Sequence, residues 1–380
     1  MTRARILLRR IHLWLGLSLG ILFAVLGLTG SALVFYVEID AALHPQTRAA
    51  AQAAPGWDSP IWDRALATVT TAWPERHGEW RFEATDTLAA VPARYSSAGH
   101  HGPRAMIWLS PDGRQIVRQD SWGRYLMTWL YELHMDLLAG DTGRQVVGWS
   151  GVAMLVLLLT GVLAWWPRGS WRKALALKPR AVPLRRLRDL HKLAGLIGLP
   201  FLFLLTGTGA LLALPDEKNW VLERTLSPID AVPATRSLAD GRPPLPLSAI
   251  LAAAHRAVPD ARLVWIEIPG AADAPIRLRV RVPGDPSPRF PRSYIHVDRY
   301  SAKILAVVDY RRGDPSSSFN TWLHPLHDAA IGGLPTRILA VLIGLLPGFL
   351  LITGFLHWRR RRARRLAARP LSHPDISTGV

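Results

Sequence analysis

The chain has 380 residues, 49% of them hydrophobic and 19% charged, which is too apolar for an ordinary soluble enzyme and too broken by polar stretches for a plain bundle of spans. The formal net charge of +18 raises nucleic acid as a partner, but the basic residues stand at the ends of apolar runs and not along a polar face, so a lipid bilayer is implied and nucleic acid is set aside. There is no cysteine, which excludes disulfides, thiolate metal sites, iron–sulfur clusters and c-type haem, and leaves any metal to His, Met or carboxylates.

The chain opens with MTRARILLRR, a basic start like that of a signal peptide, yet the apolar stretch after it runs to about Val37 with no small-residue cleavage site. It reads as a retained span. Four apolar segments reach the roughly 20 residues that cross a hydrocarbon core: Ile11 to Val37, Val146 to Trp166, Leu190 to Leu214 and Ile338 to Trp358. In chain order the predicted segments are a first span (1–37), an insertion (38–121), an interfacial helix (122–145), a second span (146–166), a basic loop (167–189), a third span (190–214), a second insertion (215–315), a second interfacial helix (316–335), a fourth span (336–358) and a basic tail (359–380). Arginines and lysines crowd before the first span, between the second and third, and after the fourth. The positive-inside rule then puts both termini in the cytoplasm and both insertions outside, which is the periplasm for a Gram-negative inner membrane.

The sequence repeats itself. IHLWLGLSLGILFAVLGLTGSALVF returns as LHKLAGLIGLPFLFLLTGTGALLAL, and TWLYELHMDLLAG returns as TWLHPLHDAAIGG, so His12 is matched with His191 and His134 with His327. The insertions correspond too: a helical stretch near Ile61 to Ala72, then IWLSPDGRQIVRQD, against a helical stretch near Leu247 to Ala257, then IHVDRYSAKILAVVD, each of these two segments being two strand-like runs around a turn. The fold class expected is a membrane α-helical protein of four spans from a tandem repeat, carrying two small α+β insertions, with a pseudo-two-fold along the membrane normal.

Of 13 histidines, the two matched pairs carry chemistry in this reading, because an ionisable residue in a span is a functional hypothesis by default. Two imidazoles brought together by a pseudo-two-fold supply the axial ligands of a b-type haem without any cysteine. The inner set, His12 and His191, and the outer set, His134 and His327, would each hold one. His357 closes the fourth span near the inner face with Ala164 in the matching position, so His357 competes for the inner axial role. His324 stands three residues before His327, but Pro325 makes it an expected N-cap outside the regular turn, with ligation as a lesser role. His100, His101 and the remaining histidines fall in loops or insertions. Glycines 16, 20, 27, 30, 195, 198, 207 and 209 admit two accounts: room for a porphyrin, or close helix packing of the small-xxx-small kind. Most of the 16 tryptophans fit an interfacial belt. Arg104, Arg118, Arg124 and Arg292 are candidates to attract anionic chelates, against a default of solvated surface charge.

These motifs, from IHLWLGL through LHMDLLAGDTGRQVVGWSG, LTGVLAWWPR and LHKLAGL to TGFLHWRRR, resemble the PepSY-associated transmembrane family, also called iron-regulated membrane proteins. The resemblance covers nearly the whole chain. It implies PepSY-like insertions at about 58–120 and 246–310, and its nearest architecture is that of the inner-membrane ferrisiderophore reductases of the FoxB kind, which hold b-type haem between their helices. It also implies an Fe(III)-siderophore as electron acceptor. His12, His134, His191 and His327 match the family's repeated histidine positions, whereas His357 departs from the Trp-rich ending expected there. No Rossmann or flavin fingerprint appears, so the electron donor expected is a quinol or a separate reductase. The competing expectations are a non-enzymatic periplasmic binding or regulatory protein with structural histidines, and a haem membrane subunit that passes electrons to another redox protein.

Overall fold

The computed structural model describes residues 3–48, 52–53, 55–84, 87–88, 90–97, 104–167, 169–176, 181–231 and 233–367. His100, His101 and His373 lie outside the described residues.

In chain order the elements are α1 (Arg3–Leu33), α2 (Tyr36–Leu43), β1 (Gln52–Ala53), α3 (Ile61–Ala72), β2 (Glu79–Glu83), β3 (Thr87–Leu88), β4 (Val91–Ser96), β5 (Arg104–Leu109), β6 (Ile116–Ser121), α4 (Leu126–Asp136), α5 (Gly140–Trp165), α6 (Trp171–Leu175), α7 (Pro183–Ala213), α8 (Pro215–Thr225), α9 (Leu247–Ala257), β7 (Arg262–Ile268), β8 (Ile276–Arg281), β9 (Ser293–Val297), β10 (Ile304–Val308), α10 (Pro315–His327) and α11 (Gly333–Ala367). Helices α1, α5 and α7 and the segment Ala330–Arg364 are long and apolar enough to cross a membrane. This is a membrane protein that also carries a β-sheet region.

The residues divide into two compact units, one of Met1–Ser31, Ser150–Gly207 and Val341–Val380, the other of Ala32–Trp149 and Thr208–Ala340. The first is helical. Its outward side chains are apolar, Ile21, Ile197 and Ile352 among them, as a lipid solvent requires. A Cβ on Gly27 would fall 2.2 Å from the Gly344 carbonyl oxygen, and one on Gly344 would meet Ser31 Oγ at the same distance, so α1 and α11 touch backbone to backbone there. Gly20 and Gly198 receive Leu351 and Leu346 in the same way. For these three of the predicted glycines the packing account holds. Pro200 and Pro347 sit inside unbroken helices.

The second unit contains an eight-stranded antiparallel sheet, ordered β10-β9-β8-β7-β2-β4-β5-β6, and a separate ladder of β1 with β3. Each half of the chain supplies four strands, and the halves join where β2 pairs with β7. In that join Arg81 faces Glu267 and Glu83 faces Trp265, so one sequence offset carries Arg81 onto Trp265 and Glu83 onto Glu267. The register is two-fold about its own centre. One face of the sheet is covered by α3 and α9: Trp62, Ala65 and Val69 with Ile250, Leu251 and Ala254 pack on Phe82, Ile107, Ile266, Leu278 and Ile295. Each such large apolar side chain contributes about 1.5–3 kcal/mol on burial. The Asp63 carboxylate on α3 accepts from the Leu247 and Ser248 amides at 2.6 and 3.2 Å, satisfying two donors that the start of α9 leaves open.

Several sequence-based boundaries move. Hydropathy carries the first span to Val37, but α1 stops at Leu33 and the chain turns before α2. There the Val34 carbonyl accepts from the Arg337 guanidinium at 2.7 and 3.2 Å, a cap that hydropathy does not register. The expected interfacial helix 122–145 divides into α4 and the opening turns of α5, separated by left-handed Leu137, Leu138 and Gly140. Helix α7 starts seven residues earlier than the expected third span, inside the basic loop.

Candidate functional site

Within the helical unit, His12 on α1 and His191 on α7 face one another with ring centroids 6.1 Å apart and planes at 88°. His12 Nδ1 donates to the Leu157 carbonyl at 3.0 Å, and His191 Nδ1 to the Leu350 carbonyl at 3.1 Å, with Thr353 Oγ1 at the same distance. Each ring is thus held in the tautomer whose Nε2 carries a free lone pair. Each ring is also seated on a glycine. A Cβ on Gly161 would lie 2.8 Å from His12 Cε1, and one on Gly354 would lie 3.2 Å from His191 Cε1.

Within the other unit, His134 at the end of α4 and His327 at the end of α10 repeat the arrangement, with centroids again 6.1 Å apart and planes at 36°. His327 Nδ1 hydrogen-bonds Thr208 Oγ1 at 3.2 Å, and a Cβ on Gly209 would come within 2.7 Å of His327 Cε1. The glycines that seat these rings, Gly161, Gly209 and Gly354, follow threonines of the LTG motifs or their equivalents.

The spacing can be tested against a metal. Two imidazoles that held one metal ion between them, each at a bond of about 2 Å plus the offset from ring nitrogen to ring centre, would stand on the order of 6 Å apart between centres. Both pairs meet that distance, and the Nδ1 partners of His12, His191 and His327 are the usual way a ligating imidazole is oriented. Four of the five principal histidines therefore come together as two facing pairs. His357 does not join them: it lies three residues beyond Gly354 on α11 and makes no ring contact among the described residues.

His324 corrects the sequence reading. The N-cap of α10 is Asp314, whose carboxylate accepts from the Ser317 amide, with Pro315 in the first turn, and His324 lies inside the helix. An Asp-Pro start outweighs the breaking tendency of Pro325, which falls in the last turn where few backbone bonds remain to be lost. His324 Nδ1 stands 3.1 Å from the Asp328 carboxylate and its ring meets Phe290 edge-on at 4.8 Å.

The sheet face opposite α3 and α9 carries charge. Glu83, buried, accepts both Nε and Nη2 of Arg289 at 2.7 and 2.9 Å, with Arg94 at 3.9 Å. Burial works to raise the Glu83 carboxyl, but the Arg289 guanidinium prevails and holds it below the usual carboxylate range. Glu267, its counterpart across the join, pairs with Arg277 and Arg279. Arg118, expected to attract anions, is buried and committed to Asp40 at 2.8 Å and Asp120 at 2.5 Å, while lying over the Trp108 ring. Arg104 reaches Glu132 at 3.3 Å. The arginine and aromatic pattern on this face was not legible beforehand, because it depends on which way each strand of the sheet points.

The pattern of the PepSY-associated TM region family matches residues 9–361. The chain belongs to this family. An uncharacterized protein of Pseudomonas aeruginosa, PA4219, is 36% identical over 131 residues, which span 30% of this chain and 30% of that relative. The match thus covers less than a third of the relative's own length, and it places no activity on this PepSY-associated TM protein.

Proposed function

We propose that this PepSY-associated TM protein is a haem b-containing inner-membrane reductase that carries electrons across the bilayer to Fe(III)-siderophores outside the cytoplasm. The observation that supports it most is the pair of facing imidazole couples, each at 6.1 Å. His12 and His191 would hold one haem, His134 and His327 a second, with His357 left outside the inner couple. The supporting sequence feature is the tandem repeat, in which the insertions are PepSY-like modules and each half donates one histidine to each couple. The positive-inside rule orients the insertions outward.

When bound, the haem supplies one-electron redox chemistry at its iron. The protein's part is to hold the imidazoles in register. Leu157, Leu350 and Thr208 fix three of the four rings through Nδ1, and the glycine seats let those rings stand against the helix backbone. One electron converts a chelated Fe(III) to Fe(II), which binds hard oxygen donors more weakly and is released. A quinol or a separate reductase replaces that electron.

The test is an optical spectrum of the detergent-purified protein, oxidised and dithionite-reduced, followed by anaerobic addition of a ferric siderophore. Sharp b-type bands that reoxidise on addition support the reductase. A colourless protein after haem-replete expression refutes it and favours a periplasmic binding or regulatory role. Bands that persist with every ferric chelate favour a subunit that reduces another redox protein.

A further inference from the structure

Resting on the reductase reading, we propose that the acceptor binds on the sheet face opposite α3 and α9, at Arg94, Arg104, Trp122 and Trp265, and that it is a negatively charged ferric chelate whose iron-binding groups are aromatic, such as a tris-catecholate.

The strand register puts these groups on one face. Arg94 of β4 pairs across to Arg81 on one side and to Met106 on the other, and Arg104 of β5 pairs with Ser96. The Arg94 guanidinium carbon lies 4.6 Å from the Trp265 ring centroid and 5.7 Å from that of Trp122, and Arg104 lies 5.0 Å from Trp122 on its own side. Trp265 stacks on Phe290 at 15°, and Trp122 meets Tyr131 edge-on. The patch alternates cations with aromatic rings, Trp265 forming its buried floor and Trp122 packing against the cluster around Met106 and Trp108, and Arg104 there also pairs with the Glu132 carboxylate at 3.3 Å. An aryl-oxide chelate offers the complement of both, its rings for the guanidinium planes and its negative oxygens for their N–H groups.

Two of its donors lack acceptors. Arg94 Nε and Trp122 Nε1 are buried and have no hydrogen-bond partner among the described residues. The nearest carboxylate, Glu83, is already bound through both oxygens to Arg289 and stands 3.9 Å from Arg94. Buried donors are almost always satisfied, so these two unmet ones, set beneath the exposed Arg104, are open to the oxygens of a ligand that displaces the side chains above them. Burial pulls the Arg94 guanidinium below its ordinary range despite Glu83, and the nearby Arg289 adds to that.

The patch also borders the outer histidines along the chain. Tyr131 precedes His134 by three residues on α4, and Phe290 touches His324, which precedes His327 by three residues on α10. Residues three apart on a helix share a face.

The experiment is a tryptophan-fluorescence titration of the full-length purified protein with redox-inert Ga(III) tris-catecholate and with a neutral Ga(III) trihydroxamate. The expected result is saturable quenching by the catecholate, at least tenfold tighter than by the hydroxamate. Arg94→Lys keeps the charge and loses the Nε donor, and it should weaken catecholate binding several-fold. Arg104→Gln should weaken it about tenfold, and Trp122→Phe should weaken it while leaving haem content unchanged. Equal affinity for the two chelates, absence of saturable binding, or binding indifferent to all three variants overturns the proposal. Gallium accepts no electron, so a colourless protein that still binds the catecholate refutes the reductase and leaves this site standing. A haem-loaded protein that reduces chelates without this preference refutes the site alone.

Discussion

Replacing Gly209 with alanine tests the histidine couples most directly. The added Cβ would sit 2.7 Å from His327 Cε1, whereas non-bonded carbons settle about 3.5–4.0 Å apart, so the imidazole must retreat by about 0.8 Å or more. Ligand bonds tolerate deviations of about 0.2 Å, so a ring displaced that far would no longer hold a haem iron without dragging the helix with it. Overpacking of this kind costs about 1–3 kcal/mol, which is about 5- to 150-fold in haem affinity at that couple. Gly207→Ala, two residues earlier on α7, is the control, since nothing lies within 4 Å of its added methyl. The assay is the haem-to-protein ratio by pyridine haemochrome, with the reduced-minus-oxidised spectrum. Gly209→Ala should lose about half the haem, Gly161→Ala should lose the other half, and Gly207→Ala should keep all of it. Full haem with an unchanged spectrum in Gly209→Ala would refute the assignment of His327 as a ligand.

Thr208→Val removes the hydroxyl on His327 Nδ1, and loss of such an orienting bond typically costs 10- to 100-fold in metal affinity, read as haem lost on dilution. Glu83→Gln breaks a buried pair with Arg289 and should cost about 3–5 kcal/mol, seen as a fall in Tm. Because the folded Glu83 carboxyl lies below its unfolded value, its contribution is complete above that unfolded value and disappears as pH drops through the folded one; the Tm gap between wild type and Glu83→Gln should therefore narrow in acid. Burial first, then Arg292 and Arg144, push the Lys218 ammonium down to about 8. The unfolded chain then binds more protons than the folded one from there to about pH 10.4, so wild type should gain Tm across that window relative to Lys218→Gln.

The spans are legible because some twenty apolar residues in a row have few other uses, and the two histidine couples are legible because the repeat alone matches their members. Helix ends are less so. Leu33 ends α1 because Arg337 of a distant segment caps it, a contact between residues 303 positions apart. Of the eight strands in the large sheet, the four around the IWLSPDGRQIVRQD and IHVDRYSAKILAVVD turns are read from the sequence; RLVWIEI and IRLRVR are not, although they flank a Pro269-Gly270 turn, and the pairing of β2 with β7 has no local signal at all. The arginines show the same limit. Arg118 and Arg94 look alike in sequence, yet Asp40 and Asp120 absorb the charge of Arg118 while Arg94 is left with a carboxylate that another guanidinium already occupies.

The join between β2 and β7 also sets an order of events during synthesis. Glu83 leaves the ribosome about 180 residues before the strand it must pair with, which at 5–20 residues per second is roughly ten to forty seconds. For that interval the first four strands present β2 as an open edge bearing Trp80 and Phe82, a template that a neighbouring nascent chain can extend in place of β7. The two halves of one molecule and the same halves of two molecules make the same hydrogen bonds at that edge. Slowing translation within the basic loop lengthens that exposure and should raise the fraction of strand-exchanged dimer without altering a single residue.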